Sequence, residues 1–171
     1  MGHSIRLSGI VEESIVDGPG LRFVVFMQGC PHRCRGCHNP GTHDPAGGYS
    51  ADTDAIIAQF GANPLLSGMT LSGGEPFLQA RAACVAAEHV KRAGKSLVTY
   101  TGYLCEDLAR SAERDNDIRR LLYLTDILVD GPYIQELRSP DSAFKGSDNQ
   151  RVLTRKAIHD IVKATLSAGF R

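Results

Sequence analysis

The chain has no excess charge of either sign: 19 Lys and Arg are balanced by 19 Asp and Glu. Broad electrostatic attraction to nucleic acid or to an anionic membrane is therefore not expected. No stretch approaches the roughly 20 consecutive apolar residues that cross a bilayer. The N-terminus also lacks the basic start and apolar run of a secretory signal, so a cytoplasmic protein is expected. Cysteine is scarce and odd in number, five in 171 residues. With three of the five in one loop, a disulfide framework is excluded, and a metal site in a reducing compartment fits better. The Gly-x4-Gly-Lys-Ser/Thr phosphate loop is missing. So is any Ser–His–Asp order, paired carboxylate site or base beside an evident nucleophile, and nothing points to hydrolysis. The length suits one domain over residues 1–171, with enough core to fold without a metal.

The most informative stretch is Gln28-Gly29-Cys30-Pro31-His32-Arg33-Cys34-Arg35-Gly36-Cys37-His38-Asn39-Pro40. It follows Phe23-Val24-Val25-Phe26-Met27, which reads as a buried strand. Three thiols thus leave a strand end together on a loop punctuated by glycine and proline. Thiolates are soft ligands, and a set this compact suits an iron–sulfur cluster or zinc. A cubane cluster held by three cysteines keeps one iron without a protein thiolate. Two other readings stay open on the residues alone. Cys34-Arg35-Gly36-Cys37-His38 spells the C-x-x-C-H of c-type haem attachment, although no export signal accompanies it. The three cysteines with His38 or His43 also make a tetrahedral zinc set. Cys84 lies on an alanine-rich helix face and reads as a small core residue, and Cys105 has no second thiol at ligand spacing.

The spacing C-x3-C-x2-C of Cys30, Cys34 and Cys37 resembles the radical S-adenosylmethionine (SAM) enzymes. Val16-Asp17-Gly18-Pro19-Gly20-Leu21-Arg22 before the strand and Cys37-His38-Asn39-Pro40 after it resemble the glycyl-radical enzyme activases within that family. Length, Leu128-Val129-Asp130-Gly131-Pro132-Tyr133, Arg138 and Gly146-Ser147-Asp148-Asn149-Gln150-Arg151-Val152 resemble the activases that serve anaerobic ribonucleoside-triphosphate reductase. Some relatives carry a basic side chain where this sequence has Pro132. The resemblance implies a 4Fe-4S cluster on Cys30, Cys34 and Cys37, with SAM on the open iron through its amino and carboxylate groups. An electron from reduced flavodoxin or a similar donor then cleaves SAM to methionine and a 5′-deoxyadenosyl radical, which takes hydrogen from a glycine Cα of the reductase. A pyruvate formate-lyase type activase is the enzymatic alternative, and a non-enzymatic iron–sulfur or zinc-binding adaptor is the alternative of another class.

Along the chain, Ile5 to Val11 suggests a leading strand, and Asp17-Gly18-Pro19-Gly20 turns it. Strands are expected at 21–27, 69–71, 97–101, 127–129 and 151–153, and helices at 53–60, 77–93, 104–113, 117–124 and 155–167. Asp52 and Thr154 are expected to cap helices, Gly94 to stop one, and Asp115-Asn116 to break another pair. The alternation predicts an α/β fold with a largely parallel sheet. A full eight-unit barrel takes about 250 residues, so a shortened partial (β/α) barrel of the radical SAM type, open on one side, is expected.

In parallel α/β folds ligands bind beyond the carboxyl ends of strands. The cysteine loop, Gly73-Gly74-Glu75-Pro76, Thr101-Gly102-Tyr103 and Asp130-Gly131-Pro132 all fall there. Glycine at 73 and 74 clears space for a ligand beside the backbone, and the resemblance puts backbone groups of Ser72, Gly73, Gly74 and Glu75 near the methionyl amine. Thr99, Thr101 and Asp130 are candidates for a ribose hydroxyl or carboxylate contact, or for capping their own turns. His32, Arg33, Arg35 and His38 surround the thiols, where positive charge favours cluster reduction. The two arginines and the segment from Arg138 to Arg151 are candidate partner contacts.

Overall fold

The computed structural model describes residues 2–140 and 143–168. Among these residues seven strands form one sheet: β1 (Ser4–Ser14), β2 (Arg22–Met27), β3 (Tyr49–Asp52), β4 (Gly68–Gly73), β5 (Ser96–Tyr100), β6 (Ile127–Asp130) and β7 (Arg151–Thr154). Their order is β3-β1-β2-β4-β5-β6-β7. The four central strands β2, β4, β5 and β6 run parallel. β1 and β3 on one side and β7 on the other are antiparallel. The sheet is thus mixed, a parallel centre with antiparallel margins, and alternates with helices as a partial (β/α) barrel does.

Side-chain parity along the strands divides the two faces. Ile5, Leu7, Phe23, Val25, Met27, Met69, Leu71, Leu97 and Leu128 all join one core. Among the described residues five α-helices cover that face: α1 (Thr53–Ala62), α2 (Ala80–Arg92), α3 (Cys105–Ser111), α4 (Asn116–Leu124) and α5 (Arg155–Ala168). Alanines at 80, 82, 83, 86 and 87 are buried and let α2 lie close to the sheet and to α4. Local chemistry sets the helix ends. Asp52 accepts from Asp54 N at the start of α1, and Asp115 accepts from Asp117 N and Ile118 N at the start of α4. Gly94 follows α2 with φ +68°, and Thr154 Oγ1 accepts from Ala157 N at 3.4 Å.

The opposite face belongs to Arg22, Val24, Phe26, Thr70, Val98, Tyr100 and Val129. Its lower half is filled by the chain before β2: Thr70 donates to the Asp17 carbonyl at 2.8 Å, and a Cβ on Gly18 would already touch Val98. Arg22 is fully buried here and donates to Thr70 Oγ1, Ser96 Oγ and the carbonyls of Met69 and Ser96. Every acceptor is uncharged, and burial lowers the guanidinium's pKa to about 10. Both faces being covered explains why β2 reads as an unbroken apolar run. The upper half, at the carboxyl ends of the parallel strands, is left for a cavity. No helix among the described residues is long and apolar enough to cross a membrane.

Candidate functional site

Four loops leave the carboxyl ends of β2, β4, β5 and β6 and meet around a cavity of about 620 Å³. Cys30, Cys34 and Cys37 all line it, and so do Ser72, Gly73, Gly74 and Thr101. The sequence pattern thus brought three thiols and the glycine turn to one mouth.

The cysteine loop is held by its backbone. Gly29 N donates to the Thr42 carbonyl at 2.8 Å, Cys30 N to the His43 carbonyl at 3.3 Å, and Cys37 N to the Cys34 carbonyl at 3.2 Å. Gln28 supports the return path, its side-chain amide donating to the carbonyls of Gly41 and Asp44. Between the first two cysteines Arg33 adopts φ +47°, a left-handed conformation that costs a non-glycine residue about 1 kcal/mol. Asn39 N points at Cys37 Sγ, 3.4 Å away, the kind of N–H···S contact that tunes iron–sulfur centres. Burial pushes the Cys30 thiol above its usual range and the Glu75 carboxylate adds to this, while the backbone N–H groups of His32 and Arg33 oppose it.

The turn after β4 is packed against this loop. Gly74 N donates to the Met27 carbonyl and Glu75 N to the Gly29 carbonyl, both at 2.8 Å. A Cβ on Gly74 would stand 2.3 Å from the Gly29 carbonyl oxygen, and one on Gly73, which has φ +92°, would stand 2.6 Å from Met27 N. Both glycines are therefore required by backbone meeting backbone, a reason distinct from the ligand clearance expected at first.

The side chains of Thr99, Asp130 and Glu75 are turned away from the cavity; for Glu75 the expected contact is through its backbone. Thr99 shares the parity of Leu97 and faces the helices, where its hydroxyl pairs with Thr125 Oγ1 at 3.0 Å. Asp130, fully buried on the same side, accepts from Cys105 N at 2.8 Å and from Arg151 Nε at 2.9 Å. Arg151 also reaches Glu106 at 2.7 Å, so one guanidinium ties β6, β7 and α3 together. Glu75 is buried too. Its oxygens accept from Thr101 Oγ1 at 3.0 Å, Gly102 N at 3.0 Å and Phe77 N at 3.1 Å, and His32 Nε2 lies 2.9 Å from Oε2. Thr101 thus lines the cavity while its hydroxyl is engaged by Glu75. Further residues line the cavity: Phe26 and Tyr100 from the strand faces, which the sequence does not mark as site residues, and Tyr133 and Gln150 between β6 and β7, which belong to the stretches that carry the family resemblance. Strand parity could have found the first two.

Around the rim, Arg33 is exposed. Arg35, 84% exposed, faces Glu136 at 3.6 Å. Within the segment from Arg138 to Arg151, residues 141 and 142 lie outside the described residues, and Lys145 faces Asp148. Cys84 and Cys105 stand apart, buried in the helix-side core with thiols pushed up to about 12 by burial. The donor chemistry at the mouth fits an iron–sulfur cluster: three thiols, an N–H aimed at one sulfur, and a turn that admits no side chain. Among the described residues no three His, Cys, Asp or Glu side chains gather tightly enough for a single ion.

Comparison with known proteins agrees. Residues 16–153 match the family described as a 4Fe-4S single cluster domain. The anaerobic ribonucleoside-triphosphate reductase-activating protein of Vibrio cholerae is 36% identical over 144 residues, covering 80% of this chain and 89% of that protein. The protein of the same name from Escherichia coli K12 is 32% identical over 146 residues, 81% of this chain and 91% of its own length. The one from phage T4 is 32% identical over 143 residues, 80% and 86% of the two chains. With this identity across most of both lengths, the chain belongs to the family of anaerobic ribonucleoside-triphosphate reductase-activating proteins, built on a single-cluster 4Fe-4S domain.

Proposed function

We propose that this chain is an oxidoreductase that installs a glycyl radical on an anaerobic ribonucleoside-triphosphate reductase, using one 4Fe-4S cluster and SAM. Cys30, Cys34 and Cys37 would hold the cluster and leave one iron for the amino and carboxylate groups of SAM. When bound, this pair supplies a one-electron cleavage of SAM, whose 5′-deoxyadenosyl fragment abstracts hydrogen from a glycine Cα. The chain's own residues orient and shelter. Backbone groups of Ser72, Gly73 and Gly74 border the methionyl end, and Phe26, Tyr100 and Tyr133 give the cavity apolar and aromatic surface that limits water. Thr101 borders the same space, whereas Thr99 and Asp130 act behind it, holding the strands that end there.

The observation that carries this reading is the convergence of three thiols and the Ser72-Gly73-Gly74 turn on one cavity, in a chain of this family. The mouth opens to solvent beside the exposed Arg33 and Arg35, where a loop of a larger partner has access. A glycine suits that loop because it brings no side chain between its Cα and the cofactor. Reduced flavodoxin or a similar carrier would supply the electron in a reducing cytoplasm.

The test is anaerobic reconstitution with iron and sulfide, followed by reductant and SAM. About four iron and four sulfide per chain are expected from one cubane, together with 5′-deoxyadenosine whose formation responds to the reductase. Active protein that holds stoichiometric zinc and needs no iron would overturn the reading.

A further inference from the structure

His32 lies between the first two loop cysteines, and its contacts run away from the cluster loop. Nε2 meets Glu75 Oε2 at 2.9 Å. The ring also sets its edge against Tyr103, centroids 4.4 Å apart at 70°. Gly102 lies directly under it: a Cβ there would fall 2.4 Å from His32 Cδ2. Glu75 faces three other donors: the single Thr101 hydroxyl proton, with Oγ1 3.0 Å from both carboxylate oxygens, Gly102 N and Phe77 N. A carboxylate surrounded by donors takes its remaining bond from a donor also, so Nε2 carries the proton. Glu75 is fully buried and the His32 side chain only 15% exposed, which shields the contact from water and makes it worth more than a surface pair.

The contact joins three strand exits. His32 belongs to the loop after β2, Glu75 to the turn after β4, and Thr101, Gly102 and Tyr103 to the loop after β5. We infer that His32 is a positioning residue: through Glu75 it fixes the separation between the thiol loop and the Ser72–Glu75 turn, and thereby sets SAM against the cluster. This inference rests on the proposed cluster and SAM assignment and goes beyond it by naming the side chain that registers the two loops. His32 borders the same cavity as the thiols, but its side-chain hydrogen bond is to Glu75, and it acts on SAM through that contact. Its effect is geometric, because a turn that swings by a fraction of an ångström loses alignment with a ligand spanning both loops.

Two substitutions separate the possibilities in the full-length, reconstituted protein. His32→Gln places an amide N–H near the position of Nε2, and His32→Asn keeps the loop polar but stops short of Glu75. Iron and sulfide content, equilibrium SAM binding, and electron paramagnetic resonance of the reduced cluster with and without SAM are measured for each. His32→Asn should retain the cluster but bind SAM about tenfold more weakly, as expected for loss of a charge-assisted hydrogen bond, and its SAM-induced spectral change should be diminished. His32→Gln should recover most of both. Unchanged SAM binding and spectra in His32→Asn, beside a wild type that binds normally, overturn the inference alone. Loss of the cluster in His32→Asn but not in His32→Gln also overturns it, since the contact would then serve loop assembly. A cluster-loaded wild type that binds no SAM overturns the underlying assignment and this inference with it.

Discussion

Gly74→Ala places one methyl group where two backbone segments meet. Its Cβ would stand 2.3 Å from the Gly29 carbonyl oxygen, 2.9 Å from the Gly29 carbonyl carbon and 3.1 Å from the Met27 carbonyl oxygen. Ordinary C···O contacts begin at about 3.3 Å, so the turn or the β2 exit must move by about 1 Å. Neither obstacle is the end of a flexible side chain. The displacement also stretches the bonds Gly74 N to Met27 O and Glu75 N to Gly29 O, both 2.8 Å. Overpacking of a rigid site costs about 1–3 kcal/mol, and a weakened backbone hydrogen bond adds about 1 kcal/mol. A total near 3 kcal/mol is expected, and at about 2–4 °C per kcal/mol for a chain of this size the melting temperature should fall by about 6–12 °C. Because Gly29 precedes Cys30, iron content should fall together with SAM binding. Gly61→Ala is the control: a Cβ there meets nothing within 4 Å, and inside α1 it should stabilise by about 0.5–1 kcal/mol. Calorimetry and iron analysis read both outcomes. A Gly74→Ala protein with wild-type melting and full iron, defective only in SAM binding, would refute the backbone argument and restore ligand clearance as the reason for this glycine.

Arg151→Met strips the charged partner from Asp130, which is fully buried, while Arg151 and Glu106 keep 39% and 36% exposure. Breaking a buried pair costs about 3–5 kcal/mol. Discounted for the exposed half, about 2–3 kcal/mol should be lost by chemical denaturation, and Asp130→Asn added to Arg151→Met should recover part of it. The hydrogen bond from Arg151 holds Glu106 below its ordinary value of 4.5. That pair therefore contributes stability above about pH 4.5 that fades as pH falls through the depressed folded value. Thermal unfolding between about pH 3 and 6 should lose this part of its slope in Glu106→Gln. Cys84→Ala and Cys105→Ala should keep full iron content at a cost of about 1 kcal/mol each from the small cavities left, and loss of iron in either would remove the three-cysteine assignment.

Much of the fold was legible because its signals are local. An apolar run followed by Gly, Pro or Asp marks a strand exit, and Asp52, Asp115 and Gly94 do at helix ends what their side chains or lack of one dictate. Asp115 was expected as a break and is a cap, the same chemistry seen from the other side. β3 was missed because Tyr49–Asp52 is short and mostly exposed, with no apolar alternation to announce it. Strand direction is not a local property, so the antiparallel margins of β1, β3 and β7 emerged only from pairing. At the site, spacing revealed the cysteines and the glycine turn. For Thr99 and Asp130 a position at a strand end leaves both a ligand contact and a turn-stabilising role open, and two-residue parity with Leu97 and Leu128, which turns them toward the helices, decides for the second. The burial of Glu75 depends on three loops meeting, and no single stretch of sequence shows it.

The central claim is transfer of a hydrogen atom from a glycine of a partner protein through SAM. Its most direct measurement uses anaerobic reductase labelled with deuterium at glycine Cα, catalytic amounts of the reduced, cluster-loaded chain, and SAM. A protein-based glycyl radical should appear in the electron paramagnetic resonance spectrum, and mass spectrometry should find deuterium in 5′-deoxyadenosine. Abundant SAM cleavage with a folded reductase, but with neither the radical nor the transferred deuterium, would contradict the account.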